Sequence, residues 1–452
     1  MRQLIIILSS FILQVFYLQA QLIECAGDLS RISLVGYTEG NIQWQFSANE
    51  TDWSDLPEAD NTEPEIRLSE SGFIRAKVRD GNCEYFSDTT RIILASASEC
   101  RERDSLAAIT NRTTIGAIRW DAGWVGDVSP ISKYTQLQLS PEKFRFRTPF
   151  FATIHKPDSI TITTTQETMD QEIAYAKNAG IDYWLTSWYP NGSGFDIPLD
   201  LHLSSTHKED VKFAYIFHSS NWQYVKNEFP LTMNRMKLSN YMKIDGKPLA
   251  FLMHNTWTLA DINQLKNEAK KAGIPGIYLV IMEWTGPTAI EKCSSYGAQA
   301  SSAYCNWGDG GISYSEMAAA TENKWDTYKS PSFGFIPFVT TGWDPRPIIE
   351  YYHGLPEADS ISISKWYPKP AEDHYVQTAT ANQVAAHLKA GLDWVKNNPL
   401  YSKPKTVIVY AWNECSEGGF IIPVAETDSS AINYGTKRLD AIKTMLDEYW
   451  KP

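Results

Sequence analysis

The sequence predicts an α/β protein, a (β/α)8 barrel of the TIM type that follows a small all-β domain. Residues 21–96 contain short runs of alternating apolar and polar residues, separated by turn signals, which are typical of a β-sandwich. After residue 111 the pattern changes, because apolar strand-like runs alternate there with amphipathic helical stretches. Eight such repeats over residues 111–452 match a (β/α)8 barrel, and an open doubly wound sheet is the alternative.

The first 20 residues have the features of a secretory signal peptide. Arg2 precedes an apolar run from Leu4 to Leu18, and Ala20 is a small residue at a suitable cleavage point. We favour this interpretation over a membrane span, and a lipoprotein is disfavoured because Glu24 precedes Cys25. We therefore expect an exported protein, in the periplasm or at the surface of a Gram-negative cell, or secreted.

The domain at residues 21–96 contains an early Cys25, a strand around Trp44, the strand Ser71–Val78 and a late Gly81–Cys83. This combination resembles the bacterial immunoglobulin-like modules of secreted proteins. The resemblance implies a β-sandwich that serves more often as a spacer than as a binder, and it favours a disulfide between Cys25 and Cys83. Residues 97–110, rich in Ser, Ala, Glu and Arg, are the predicted linker.

Six cysteines in an exported chain allow three disulfides, and their spacing leaves the connectivity open. Cys293 and Cys305 lie close together in the chain and can pair. We interpret Cys415 as a free buried thiol rather than a nucleophile, because no His stands near it in the sequence. No spacing of Cys and His indicates a zinc site.

The barrel prediction rests on eight apolar runs. They are Ile115–Trp120, Asp182–Trp188, Lys212–Phe217, Pro248–Met253, Gly276–Met282, Gln299–Tyr304, Gly334–Val339 and Thr406–Tyr410. The sixth run is short and rich in Ser. The amphipathic stretches between them include residues 167–179, 259–272, 314–329, 379–397 and 436–449.

Active sites of such barrels lie at the carboxyl ends of the strands, so the residues that follow each run are the candidate binding residues. They are Trp120, Asp121, Trp188, Tyr189, His218, His254, Glu283, Trp284, Tyr304, Trp343, Asp344 and Asn413. These residues supply carboxylates, imidazoles, amides and aromatic rings, with hardly any Lys among them. Such a set of side chains favours a neutral, hydroxyl-rich substrate. Each residue alone can also be a strand-end side chain that packs or bonds locally.

The eighth run leads into Asn413, Glu414, Glu417 and a Gly-Gly break at Gly418. On a continuing strand the two glutamates would point to opposite faces, whereas a turn that begins at Cys415 brings both towards one pocket. Two neighbouring carboxyls are what glycosidic bond cleavage needs, one to give a proton and one to accept a proton or stabilise charge. The alternative is a solvated acidic turn after a core strand.

Composition restricts the partners. The net charge is −12, the pI is near 5.2 and no basic run occurs, which argues against nucleic acid and against an anionic membrane surface. Aromatic residues make up 13% of the chain and supply flat surfaces for sugar rings as well as packing area. No Gly-rich phosphate cradle with an adjacent Lys and no His-rich metal triad stands out, so we expect an oligosaccharide or polysaccharide substrate and no cofactor.

Four motifs resemble, in order, those of the glycoside hydrolase family 99-like and WbsX-like barrel proteins: Gly180–Tyr189, Asp245–Phe251, Pro337–Asp344 and Ala411–Gly418. The resemblance implies a retaining glycosidase without metal. Glu417 would be the general acid and then the base for water, and Glu414 would take the proton of the sugar 2-hydroxyl, giving a 1,2-anhydro intermediate. Cys415 stands where the family usually has Trp, which leaves the pocket floor open.

Two other functions remain open. A glycan-binding protein without activity could keep such a groove, although binding alone does not require the Glu414 and Glu417 pair. A glycosyltransferase is the third possibility, because members of the WbsX-like branch have been given that label. A transferase would need sugar nucleotides, which an exported protein does not meet.

Overall fold

The computed structural model describes residues 4–7, 21–24, 29–35, 39–62, 64–94, 96, 112–121, 123–125, 130–156, 159–253, 257–354, 373–424 and 435–451. The chain divides into two compact units, Met1–Arg112 and Thr113–Pro452. The predicted linker, residues 97–110, and the candidate His254 lie outside the described residues. No described helix is both long and apolar enough to cross a membrane.

The first unit is a small β domain with two sheets. Its strands are β1 (Leu4–Ile7), β2 (Gln21–Glu24), β3 (Leu29–Val35), β4 (Asn41–Ser47), β5 (Ser54–Asp55), β6 (Glu65–Arg67), β7 (Gly72–Asp80), β8 (Cys83–Phe86) and β9 (Thr90–Leu94). One sheet has the order β2-β9-β7-β4-β5 with β8 on β7, and the other has the order β1-β3-β6. Apolar residues of both sheets share one core around Trp44, as the period-two pattern predicted.

The immunoglobulin-like character of this unit and the signal peptide stay predictions. Of the predicted signal peptide only Leu4–Ile7 is described, as a strand parallel to β3. Cys83 is a free, exposed thiol, and its predicted partner Cys25 lies outside the described residues.

The second unit is the predicted (β/α)8 barrel. Its parallel strands are β10 (Thr114–Arg119), β13 (Tyr183–Ser187), β14 (Lys212–His218), β16 (Lys247–Met253), β17 (Tyr278–Met282), β18 (Ala300–Ser302), β19 with β20 (Gly334–Phe335 and Phe338–Thr340) and β21 (Thr406–Tyr410). Each matches one predicted run, including the short sixth strand. Shorter strands are β11 (Thr153–Lys156), β12 (Ser159–Thr161), β15 (Lys243–Ile244), β22 (Asn413–Glu414) and β23 (Gly419–Phe420).

The barrel closes through its seventh strand. β19 pairs with β18 and β20 pairs with β21, and the two pieces are separated only by Ile336 and Pro337. The ladder continues across this gap, because the Ile336 N–H donates to Ser301 O and the Pro337 O accepts from the Ile408 N–H. β21 also pairs with β10, so the first and last strands meet and the open-sheet alternative is wrong.

Helices connect the strands on the outside. They are α1 (Pro130–Leu139), α2 (Gln166–Asn178), α3 (Ile197–Ser204), α4 (Trp222–Asn227), α5 (Phe229–Lys237), α6 (Leu259–Lys271), α7 (Gly286–Tyr296), α8 (Tyr314–Trp325), α9 (Arg346–His353), α10 (Ala381–Asn397) and α11 (Lys437–Tyr449). Capping boxes begin three of them, at Thr258, Ser313 and Thr380, which explains why the predicted starts agree with the observed ones within two residues.

Candidate active site

The site begins where the fully buried strand β21 ends. β22 pairs antiparallel with β23, and a 3-10 turn at Cys415–Glu417 joins them, as the sequence predicted for a turn that begins at Cys415. Gly418 ends the turn with φ +82°, where a Cβ atom would lie 2.8 Å from the Asp344 backbone nitrogen. Only glycine fits both the conformation and the space there.

Each glutamate of the turn accepts a hydrogen bond from a tyrosine. The Tyr304 hydroxyl donates to Glu414 Oε1 at 2.7 Å, and the Tyr410 hydroxyl donates to Glu417 Oε2 at 2.5 Å. The two phenol rings meet edge to face with centroids 5.3 Å apart. The turn therefore carries two carboxyls, each of which is bonded to a phenol.

The two carboxyls also interact electrostatically. Burial raises the pKa of Glu417, and the Tyr410 hydrogen bond opposes that shift. Burial raises the pKa of Glu414 further, with the negative charges of Glu417 and Asp121 acting in the same direction and the Tyr304 hydrogen bond opposing. Neither carboxyl forms an ion pair with Lys or Arg within the described residues. Both carboxyls therefore favour the protonated form more than an exposed glutamate does.

A buried charge network lies behind Glu414. Arg119 donates from Nε to Asp121 at 2.8 Å and from Nη1 to Glu172 Oε2, on helix α2, at 2.6 Å. The Trp412 indole also donates to Glu172 Oε2 at 2.6 Å. Asn413 joins the network to the turn, because its amide donates to Asp121 at 3.0 Å and its Oδ1 accepts from the Trp120 N–H at 2.8 Å.

A second ion network lies behind Glu417. Asp344 accepts from Arg346 Nε at 2.7 Å and from Arg147, and its backbone N–H donates to the Glu417 carbonyl at 2.6 Å. Burial raises the pKa of Asp344, but the hydrogen bonds and charges of the two arginines outweigh burial, and the net shift is downward. Asp344 thus stays ionised and anchors the turn.

A cavity of about 390 Å³ opens beside Glu417. Its lining residues are Met253, Trp284, Tyr304, Cys305, Trp307, Asp309, Trp343, His374 and Glu417. The Trp284 and Trp307 rings meet edge to face at 4.8 Å, and His374 Nδ1 lies 3.0 Å from Asp309 Oδ1. A mostly aromatic wall with a few polar groups is typical of small-molecule and sugar pockets.

The predicted binding residues fall into three groups. Trp284, Tyr304 and Trp343 line the cavity. Asp121 and Asn413 belong to the network behind Glu414. Tyr189 lies near the same network, because the negative charges of Glu414 and Asp121 add to burial in raising the pKa of its phenol. Trp120 adjoins them through its backbone bond to Asn413.

The remaining described candidates have local partners. Trp188 is buried, with its indole bonded to Thr232 at 3.1 Å, and His218 contacts Ser187 at 3.3 Å. Glu283 is paired with Lys292 at 2.5 Å. Cys293, Cys305 and Cys415 are free buried thiols, so the pairing considered for Cys293 with Cys305 is wrong, whereas the interpretation of Cys415 is confirmed.

Sequence reasoning missed Tyr410, Met253, Cys305, Trp307, Asp309 and His374. Tyr410 and Met253 are the last residues of their strands, whereas the predicted binding residues were mostly those that follow a strand. Trp307, Asp309 and His374 lie farther along the loops. The one local signal was the short sequence separation of Tyr410 and Glu417, which stand seven residues apart in the same motif.

Comparison with known proteins adds a family for part of the chain. A family model described as Glycosyltransferase WbsX matches residues 219–434. This confirms the resemblance found in the motifs, three of which lie inside the WbsX-like match. A second model, a domain of unknown function (DUF8696), matches residues 18–96. A search of curated proteins gave no match.

Several glycoside hydrolases are among the solved structures similar to this chain. The GH99 endo-alpha-mannosidase from Bacteroides thetaiotaomicron is 13% identical, with 75% of this chain and 97% of that chain covered and a TM-score of 0.48. A glycoside hydrolase-like protein is 12% identical, with 74% and 94% covered and a TM-score of 0.44. A family 39 glycoside hydrolase from Bacteroides cellulosilyticus WH2 is 8% identical, with 94% and 82% covered and a TM-score of 0.35.

Proposed function

We propose that this protein is an exported, retaining glycoside hydrolase that acts on a polysaccharide or other glycan. The observation that carries the proposal is the buried pair Glu414 and Glu417 beside an aromatic cavity, each bonded to a tyrosine rather than to a cation. Carboxyls in such surroundings can hold one proton between them at neutral pH, which is the requirement for acid and base work on a glycosidic bond.

In the proposed first step Glu414, ionised, takes the proton of the sugar 2-hydroxyl. The freed oxygen attacks the anomeric carbon, the glycosidic bond breaks, and Glu417 gives its proton to the leaving oxygen. In the second step a water oxygen attacks the anomeric carbon, and the bond between that carbon and the 2-oxygen breaks. Glu417, now ionised, takes the proton of the water, and Glu414 returns its proton to the 2-oxygen. Two inversions at one carbon give net retention.

These roles require the shared proton to lie on Glu417 when substrate is bound. In the free protein the negative charges of Glu417 and Asp121 both act to raise the pKa of Glu414, which favours the proton there. A bound 2-hydroxyl that donates to Glu414 stabilises its ionised form, and a glycosidic oxygen that accepts from Glu417 stabilises the protonated one. Substrate binding therefore moves the proton to the position that the first step needs.

The position of Glu417 supports its assignment as the acid. Glu417 lines the cavity, whereas Glu414 lies against Tyr304 and the network of Asp121. A leaving-group oxygen has to reach a proton donor at the cavity wall, so Glu417, the less buried of the two glutamates, is the one suited to protonate it. The tyrosine bond to Glu417 Oε2 leaves Oε1 as the oxygen to carry the proton.

The description of the matching family model favours a glycosyltransferase as the second candidate. A donor diphosphate calls for cations, and Arg147 and Arg346, which lie beside the turn, are both bonded to Asp344. We therefore rank the hydrolase first. A shift of the melting temperature by sugar nucleotides with a divalent metal, and none by oligosaccharides, would favour the transferase.

Product analysis tests the hydrolase. The chain without residues 1–20 is incubated with plant, fungal and bacterial polysaccharides, beginning with the α-mannosides of the family that the motifs resemble. We expect sugar release by the wild type, none by Glu417→Gln, and wild-type release by Glu291→Gln, which changes an exposed glutamate on helix α7. Affinity for an oligosaccharide by calorimetry, without release, would instead identify a glycan-binding protein.

A further inference from the structure

One part of the cavity wall is built from two chain segments that are far apart in the sequence. Asp309–Ile312 follow the sixth barrel strand, and Asp373–Gln377 precede helix α10. The N–H groups of Gly310 and Gly311 donate to the carbonyls of Asp373 and Tyr375, at 2.7 and 2.9 Å, and the Gln377 N–H donates to the Ile312 carbonyl at 2.9 Å. These bonds hold the two segments side by side.

The same wall is attached to the turn that carries Glu417. The Val376 N–H donates to the Trp343 carbonyl at 2.8 Å, and the Arg346 guanidinium lies 3.8 Å above the Tyr375 ring. Arg346 in turn bonds to Asp344, whose N–H donates to the Glu417 carbonyl. Space at the junction is tight, because a Cβ atom on Gly311 would lie 2.5 Å from the Tyr375 hydroxyl oxygen.

This frame places an imidazole and a carboxylate at the cavity. His374 is 8% exposed, lines the cavity, and has Nδ1 at 3.0 Å from Asp309 Oδ1. When a carboxylate accepts from Nδ1–H, the neutral imidazole carries its acceptor at Nε2. A sugar hydroxyl is a suitable donor for such an atom. Trp307, 43% exposed beside Trp284, adds an aromatic surface at the same cavity.

We propose that His374, oriented by Asp309, and Trp307 form a subsite beside Glu417 that binds a neutral sugar residue through a hydroxyl and a ring face. The inference rests on the proposed function for one point, which is that the bound sugar is the leaving group and that Glu417 protonates its oxygen. A substrate with a sugar on the leaving side is a glycan cleaved between two sugar units. His374 is a contact residue in this subsite and Asp309 is a positioning residue.

The test measures binding, so that it does not depend on turnover. The full chain with Glu417→Gln is titrated with manno-, gluco-, galacto- and xylo-oligosaccharides, followed by tryptophan fluorescence and calorimetry, since Trp284, Trp307 and Trp343 line the cavity. His374→Ala in this background should weaken the best ligand about tenfold, the effect of losing one hydrogen bond and its orientation. Trp307→Ala should weaken it by a similar factor.

Asp309 distinguishes positioning from packing. Asp309→Ala should weaken binding nearly as much as His374→Ala, whereas Asp309→Asn keeps an acceptor oxygen and should stay within about threefold of the parent. The matched control is His207→Ala, which removes an exposed histidine 3.7 Å from a carboxylate, that of Asp210, and should leave affinity unchanged. If His374→Ala fails to fold, the two Asp309 variants still decide the proposal, because the Asp309 side chain is 39% exposed.

The outcomes separate the two proposals. Parent-like affinity in both His374→Ala and Asp309→Ala, or no binding by any of these oligosaccharides, would overturn the subsite and leave the hydrolase to be judged by product analysis. Weakened binding in these variants with no sugar release by the wild type would support the subsite and overturn the hydrolase.

Discussion

Two sets of buried carboxyls in the same barrel have different partners. Asp121, Glu172 and Asp344 are each bonded to an arginine, whereas Glu414 and Glu417 are each bonded to a tyrosine. An arginine supplies a permanent positive charge that favours the ionised carboxylate. Two arginines outweigh burial at Asp344, whose pKa is lowered, whereas at Asp121 burial prevails over Arg119 and the pKa is raised. A phenol offsets only part of the cost of burial, so the second set can titrate. The two sets of carboxyls therefore differ here in their partners more than in their burial.

The largest expected effect comes from the tyrosine-bonded set. Glu414→Gln and Glu417→Gln should each lower turnover by about 10³-fold, because proton transfer in the transition state is lost, while the far-UV circular dichroism stays unchanged. The assay is initial-rate release of reducing sugar from the substrate identified by product analysis. Near wild-type rates in either variant would remove that residue from the mechanism.

Breaking the arginine-bonded set should affect stability instead. Arg119→Met leaves Asp121 and Glu172 buried without their cation, and should lower the free energy of unfolding by about 3–5 kcal/mol, measured by denaturant titration. Arg79→Met is the control, because Arg79 pairs with Glu84 at an exposed site and its loss should not be measurable. Wild-type stability in Arg119→Met would mean that the two sets do not differ as described.

The tyrosines sharpen the comparison through the pH profile. Each hydroxyl stabilises a carboxylate, so its removal raises the pKa of that carboxyl further. In the substrate complex, which the pH profile of kcat reports, Tyr410→Phe should move the alkaline limb to higher pH, since Glu417 must be protonated there. Tyr304→Phe should move the acid limb of kcat to higher pH, since Glu414 must be ionised. Each should also cost about tenfold in rate.

Tyr328→Phe is the matched control for these two variants, because the Tyr328 hydroxyl donates to a backbone carbonyl, that of Glu283, at 2.7 Å. It should leave both limbs in place. If Tyr410→Phe moved the acid limb and Tyr304→Phe moved the alkaline one, the roles of the two glutamates would be reversed.

The smallest expected effect is on the pH dependence of stability. The folded-state pKa of Glu414 is raised, so between its unfolded value of about 4.3 and the raised value the folded state binds more protons, and stability falls as pH rises. Glu414→Gln removes this loss, and its melting temperature should exceed that of the wild type by a few degrees at about pH 8 and by less at about pH 5.

Asp344→Asn should behave in the opposite way. The lowered pKa of Asp344 contributes stability above its unfolded value, so the variant should melt below the wild type at about pH 8. Scanning calorimetry of both variants and the wild type at the two pH values measures these differences in melting temperature. Equal pH dependence in Glu414→Gln and the wild type would contradict the raised pKa.

The strands of the barrel were predictable because their signal is local. Each is a short apolar run between polar segments, and even the Ser-rich sixth run forms the strand Ala300–Ser302. The Glu414 and Glu417 turn was predictable for the same reason, since the carboxyls, the turn and Gly418 lie within a few residues. The seventh strand was predicted as one element, and Pro337, which lacks an N–H, divides it in the structure.

The functions assigned to strand-end side chains were predictable only in part. Trp188 and Glu283 follow their strands as Trp120 and Trp284 do, yet one packs in the core and the other pairs with Lys292. Sequence position sets which end of the barrel a side chain occupies. Its partner depends on residues from other strands, which sequence spacing does not contain.

By itself the sequence determined the eight strands, the carboxyl ends as the location of a site, and a turn with two glutamates, because hydrophobic periodicity and turn chemistry act over a few residues. Tertiary structure alone decided which carboxyls are neutralised by arginine, that Tyr304 and Tyr410 hold the glutamates, and that Asp309 meets His374. These are contacts between residues up to 197 positions apart in the sequence, made only when the barrel closes. Burial and neighbouring charge, which set each pKa, exist only in that closed state.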